Sequence, residues 1–143
     1  MKYQIFIDKE KEEEILIYAH SKTKLIDDIE KLILCNGMEI IGHSDTQAIP
    51  LSPADIYCFI VENNKIFAIT QKEKLYVKAR LYQLEEALPK SFIKINQSCL
   101  ANINLIECFD ASLSGTLTVK FKNGYIDYVS RRNVKKIKER LGF

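Results

Sequence analysis

Hydrophobic and polar positions along the chain change their rhythm twice. Residues 3–7 alternate as Tyr-Gln-Ile-Phe-Ile and predict a strand, and the apolar run of residues 15–19, Ile-Leu-Ile-Tyr-Ala, predicts a second. The charged run between them, residues 9–14, reads as a solvated loop. From Leu25 the apolar positions fall at helical spacing (Leu25, Ile29 and Leu32, with Ile26 and Ile33), Ser21 or Thr23 can cap that helix, and Asp27 and Asp28 suit its positive end. Asn36-Gly37 supplies a helix stop, and residues 38–41 predict a third strand. The first 48 residues thus read as a small strand–strand–helix–strand unit. The polar, proline-containing stretch 42–55 reads as the link to the second half of the chain.

From Ile56 the period is that of β-structure. Residues 56–61, 65–70 and 74–79 are rich in β-branched and aromatic side chains, and Asn63-Asn64 suits a tight hairpin turn. Leu81, Leu84 and Leu88 mark a short helix stopped by Pro89. Strand-like runs continue at 92–95, 100–101, 105–109, 116–122 and 125–129, the last two joined by Asn123-Gly124, the strongest hairpin signal in the chain. Val134, Ile137 and Leu141 close the chain with a helix that turns Lys135, Lys136, Lys138 and Arg140 outward. The fold class expected is α+β, mostly β with short helices, divided into an extension (residues 1–48) and a β-rich domain (residues 49–143).

Composition narrows the function. With 47% hydrophobic and 28% charged residues the chain can build a core, and no apolar run is long enough to span a bilayer. The acidic start lacks the apolar stretch of a secretion signal, which points to the cytoplasm. None of the four cysteines is paired as Cys-x-x-Cys, and Cys99 and Cys108, in apolar surroundings, read as small core residues. His20 and His43 lie in different elements and read as surface residues. There is no Gly-rich phosphate loop, no His-Glu-x-x-His and no Gly-x-Ser-x-Gly. Neither an enzyme nor a bound cofactor or metal is therefore expected. Charge is divided along the chain: residues 1–55 hold 6 basic and 11 acidic side chains, residues 56–143 hold 15 and 8. A basic second half points to a polyanionic partner.

The candidate chemistry gathers at two places. Lys94, Asn96, Gln97 and Ser98 occupy an interrupted strand, and Ser130, Arg131, Arg132 and Asn133 stand where the last hairpin meets the final helix. Arginine can hold guanine bidentately, and Gln or Asn can pair with adenine; Ser, Lys and the amides of a helix start suit phosphate. Both helices of this half have apolar stripes, so DNA would be read by loops between strands.

Three segments in order, LYQLEEAL, PKSFIKINQSCLANINLI and KFKNGYIDYVSRRNVKKIKERL, resemble the LytTR family of DNA-binding domains of bacterial regulators. The family's marks are a helix like LxELExxL, a segment like FxRxHxSxxVN and a close like SRxxxxxLKxxL. They are met here by Phe92, Lys94, Ser98, Asn102, Ser130 and Arg131 or Arg132. The resemblance covers about three fifths of the chain, residues 55–141. It implies an elongated β domain that puts loops into successive major grooves of double-stranded DNA. Base contacts would then come from Gln97 and Arg132, with a third from the early hairpin at Asn64 and Lys65. Lys94, Ser98, Ser130 and Asn133 would position the backbone. Asn96 and Gln97 depart from the family's frequent histidine, and Asn102 reads as a turn-stabilising residue. The roughly 50 residues before the domain are too few for a receiver domain. That implies the standalone branch, often encoded beside a small membrane protein, with homodimerisation or such a partner as the role of the extension. The competing readings are a protein-interaction module that binds an acidic or membrane-protein partner, and a small-molecule sensor.

Overall fold

A computed structural model describes residues 4–12, 14–34, 38–111 and 115–143. Among the described residues, ten strands and three α-helices occur in the order α1 (Lys24–Leu34), β1 (Ile40–His43), β2 (Ala48–Leu51), β3 (Cys58–Glu62), β4 (Lys65–Ile69), β5 (Lys74–Val77), α2 (Leu81–Ala87), β6 (Phe92–Asn96), β7 (Cys99–Asn102), β8 (Ile106–Ala111), β9 (Leu117–Phe121), β10 (Ile126–Val129) and α3 (Arg131–Leu141). Seven strands form one antiparallel sheet in the order β2-β1-β5-β4-β3-β7-β6, and β10-β9-β8 form a second. The fold is α+β, with β-structure dominant, as expected.

The large sheet is covered on both faces, by different elements. On one side Leu84 and Leu88 of the α2 region pack with Ile56, Phe59, Ile66, Phe92 and Leu100. On the other, Val119, Phe121, Val129 and Ile137 from the second sheet and α3 pack with Cys58, Ile60, Ile93, Ile95 and Cys99. The alternation of β-strand side chains produces this division, since successive residues of β3 and β7 serve opposite cores. No described residue before Met38 belongs to either core.

The turns obey the local sequence. Asn63 and Asn64 both take positive φ, 49° and 61°, the combination a two-residue hairpin matched to strand twist requires, and asparagine accepts it more readily than most residues. Gly124 (φ 88°) does the same for the β9–β10 turn. The Asn102 side chain is buried and donates to the carbonyls of Ile56 (3.0 Å) and Pro53 (3.3 Å), so it stabilises structure, as anticipated.

Four expectations are corrected. Residues 4–7 and 15–19 are not strands: no ladder partner exists for them among the described residues, and Ile7 and Tyr18 are over nine-tenths exposed. Strand propensity stabilises only where a neighbouring strand and a buried face exist. Residue 3, and the helix stop placed at Asn36-Gly37, lie outside the described residues. The stretch 42–55 is not a plain link. It completes β1 and forms β2, and β1, expected within the extension, is bonded into the large sheet between β2 and β5. Gly42 allows this approach: a Cβ there would lie 2.8 Å from Leu51 Cδ1 and 2.9 Å from Leu75 Cβ. Finally, Cys108 is exposed, whereas Cys58 and Cys99 are fully buried neighbours. Burial and a hydrogen bond between the two raise the Cys99 thiol well above its usual range, the bond with Cys58 being the larger cause.

Candidate nucleic-acid interface

Three short segments far apart in sequence are brought to one end of the strands by backbone hydrogen bonds. The amide of Val61, at the end of β3, donates to the carbonyl of Ser98 (2.8 Å), which sets the Asn63-Asn64 turn beside the Gln97-Ser98 turn. The amide of Ser130 donates to the carbonyl of Ile95 (2.9 Å), which brings the start of α3 to the same place.

Asn96 locks the arrangement. It is 2% exposed, and its Nδ2 donates to the carbonyl of Tyr128 (2.8 Å) and to Oδ1 of Asp127 (3.0 Å). Its Oδ1 accepts from the amide of Ser98 (2.8 Å), shaping the turn that carries Gln97. Expected at the surface with its neighbours, Asn96 is instead occupied inside the protein. A register shift between Lys94 and Asn96 turns this residue inward, since strict alternation would give Ile95 and Asn96 opposite faces. The signal that sequence reasoning missed is Asp127, thirty-one residues away, which has no visible tie to Asn96 until the strands are paired.

The remaining expected residues stand at the surface. Gln97 and Ser98 are exposed at the tip of the β6–β7 turn, and Asn64 and Lys65 at the β3–β4 turn. Arg131 and Arg132 are exposed in the first turn of α3, with Ser130 and Asn133 partly buried beside them. The Ser130 side chain makes no capping bond, while its carbonyl accepts from the amides of Asn133 (2.8 Å) and Val134 (3.2 Å). The first amides of α3 therefore point outward from the positive end of an 11-residue helix, an arrangement suited to phosphate oxygens. Lys94 is exposed on the α2 side of β6, 4.0 Å from Glu85, so it stands apart from the Arg131–Arg132 pair.

A feature unforeseen in the sequence adjoins Lys65. On the part of the large sheet that the second sheet leaves open, His43, Lys65, Phe67, Lys74 and Tyr76 line a shallow hollow of about 400 Å³. Lys74 lies over the Phe67 ring (4.6 Å) and Lys65 over that of Tyr76 (5.9 Å), and Lys74 also pairs with Glu62. Among the described residues no cluster of His, Cys, Asp or Glu could hold a metal ion, and no helix is long and apolar enough to cross a membrane.

Residues 46–142 match the family described as the LytTr DNA-binding domain. The chain belongs to the LytTR family. Its fold agrees: a LytTr DNA-binding domain of a putative methyl-accepting/DNA response regulator from Bacillus cereus superposes with a TM-score of 0.69, covering 75% of this chain and all of that one at 23% identity. Curated relatives align over nearly the whole length. Uncharacterized HTH-type transcriptional regulators of Staphylococcus aureus strains MSSA476 and NCTC 8325 are 35% and 34% identical over 99% of this chain and 98% of theirs. Although those relatives are named HTH-type, the three helices of this LytTR protein are each separated by strands, so the described residues contain no helix-turn-helix unit.

Proposed function

We propose that this LytTR protein is a transcriptional regulator that binds double-stranded DNA sequence-specifically, through its inter-strand turns and the start of α3. The observation that carries the reading is the convergence of the Asn63-Asn64 turn, the Gln97-Ser98 turn and the Ser130–Asn133 helix start, held by Val61–Ser98, Ser130–Ile95 and Asn96 bonds. Polar tips on fixed strands have the form that major-groove reading needs, because base discrimination depends on donors and acceptors held at set positions.

Roles follow the family resemblance, and the exposure of these residues supports them. Gln97 and Arg132, both exposed, read bases, and Asn64 with Lys65 supplies a further contact at the neighbouring turn. Ser98, Ser130, Arg131, Asn133 and the outward amides of α3 hold phosphates, and Lys94 adds charge at the flank. Asn96 positions the turn. The protein acts in the cytoplasm, without catalysis, as a pair of identical chains; a small membrane protein is the second partner that the family resemblance supplies.

Selection of binding sites from random DNA tests this directly, and a recurrent motif is expected. On the selected site, Arg132→Ala and Gln97→Ala should each cost roughly 1–3 kcal/mol, with little change on random DNA. Lys94→Ala should weaken binding to every sequence and flatten its salt dependence. Selection that enriches no motif would sink the reading in favour of a protein-interaction module.

A further inference from the structure

Backbone pairing sets four residues in one row across the large sheet, near the end where the interface segments converge. The Val61 amide bonds the Ser98 carbonyl, Val61 is paired with Ile66, and Ile66 with Val77. One residue beyond that row, on the side of the turns, β4 presents Lys65 and the chain leaving β5 presents Lys78. Arg80 follows with its backbone fixed at the start of α2: its amide donates to the Gln83 side chain (2.9 Å), and its carbonyl accepts from the Gln83 amide (3.1 Å). Lys78 and Arg80 are exposed, and among the described residues neither is paired with an acidic side chain. Lys74, Lys94, Lys120 and Lys135, in contrast, each have a glutamate partner. Glu62, which lies opposite Lys65 in the ladder, is itself occupied by Lys74. Two uncompensated cations therefore stand at the turn end of β5, a strand from which the functional reading takes no contact.

We propose that Lys78 and Arg80 hold the phosphate backbone of double-stranded DNA on the flank of the interface away from Arg132, so that β5 marks one boundary of the bound site. The proposal rests on the reading of Gln97, Asn64, Lys65 and Arg132 as the DNA-facing surface and adds a flank that those residues do not cover. Strand order sets the distance. The start of α3 is bonded to β6, at one edge of the sheet, and β5 lies beyond β7, β3 and β4. From β7, which follows the Gln97 turn, to β5 is three strand spacings, roughly 14 Å. The major groove is about 12 Å wide. With Gln97 inside the groove, the end of β5 therefore lies over one of the phosphate backbones that wall it. Long cationic side chains without a carboxylate partner are the groups suited to that place, and contacts of this kind fix position without reading sequence. Continuity with Lys65 on the neighbouring strand makes duplex DNA the occupant of this flank, since one polyanion then spans the whole row.

Phosphate-ethylation interference with the full chain on a duplex carrying the selected site tests the proposal. In Lys78→Ala/Arg80→Ala the interference on one flank should vanish, while that on the Arg132 side remains. The double variant should bind cognate and random duplexes more weakly in equal proportion. Its slope of log affinity against log salt should be shallower by about one for each side chain removed. Both side chains are exposed and outside both cores, so the circular dichroism should stay that of the wild type. Lys78→Arg/Arg80→Lys, which keeps both charges, should keep the wild-type footprint and slope. Lys72→Ala removes an exposed lysine from the β4–β5 turn, at the opposite end of β5, and should change neither readout. A double variant with the wild-type footprint and slope overturns the proposal and leaves base reading by Gln97 and Arg132 standing. A loss per charge at Lys72 equal to that at Lys78 and Arg80 overturns it too, because position would then not matter. A wild type that binds DNA but enriches no motif strikes the functional reading, and the slope of the double variant on random duplex still decides this one. Absence of any DNA binding overturns both.

Discussion

Removing the Asn96 side chain separates a positioning role from direct contact with DNA. Asn96→Ala deletes three hydrogen bonds at a site 2% exposed: to the Tyr128 carbonyl, to Asp127 Oδ1 and from the Ser98 amide. Leaving a buried polar group without its partner costs about 1–3 kcal/mol. Asp127 is the least affected, being partly exposed and still accepting from the Tyr128 amide (2.7 Å). Ser98 and Tyr128 are themselves exposed residues, so water takes up part of the loss at the Tyr128 carbonyl and the Ser98 amide, and the penalty should total about 1–3 kcal/mol. A domain of this size has roughly 5–15 kcal/mol of stability, so the variant should fold. Urea denaturation should show a lower midpoint at unchanged slope. In hydrogen exchange, the amide of Ser98 should lose protection along with that of Ser130, whose bond to Ile95 holds the helix start in place. Affinity for cognate DNA should fall in the same variant because Gln97 and Arg132 are no longer fixed relative to one another. A midpoint within about 0.5 kcal/mol of wild type, combined with a large loss of DNA affinity, would refute the reasoning, since surface substitutions behave that way.

Two further predictions concern the fold. Gly42→Val should destabilise the sheet by about 1–3 kcal/mol, as expected for overpacking, because its side chain would meet Leu51 and Leu75 below 3 Å; thermal unfolding checks this, and an unchanged midpoint would show that β1 is dispensable. Tyr125 should ionise late: burial foremost, then the negative charge of Asp127, raises its phenol above the ordinary tyrosine range. A raised folded-state value means that the contribution to stability is complete below about pH 10, the unfolded value, and is lost as pH climbs toward the folded one. Absorbance titration of the folded protein should therefore contain a component above the ordinary tyrosine range that Tyr125→Phe removes; a titration curve left unchanged at its alkaline end by Tyr125→Phe would contradict this.

Where local chemistry decides structure, the sequence was readable. The paired asparagines at 63–64, Asn123-Gly124 and the leucine spacing of α2 each carry their signal within a few residues, and each element formed. Elements that depend on partners were harder to read. Residues 4–7 and 15–19 have strand composition but no neighbour to pair with among the described residues, and β2 hid behind Pro50, which looks like a break until β1 lies beside it. The site divided in the same way. Exposure of Gln97, Arg131 and Arg132 stems from their polar turn and helix start, whereas the burial of Asn96 arises from a register shift and from Asp127 on a distant strand. An isolated asparagine in a polar turn gives no hint of either.

In the proposed reading, the β6–β7 turn keeps anchor and reader on adjacent residues with opposite obligations. Asn96 is committed to the interior by three bonds, and Gln97 owes nothing to it. Exposed side chains of that kind exchange at little cost in stability, typically within about 0.5 kcal/mol. With Gln97 as the base contact proposed above, descendants of this chain drift from one operator to another by single changes at position 97, each intermediate still fully folded, so that a duplicated gene acquires new targets without passing through an unstable protein.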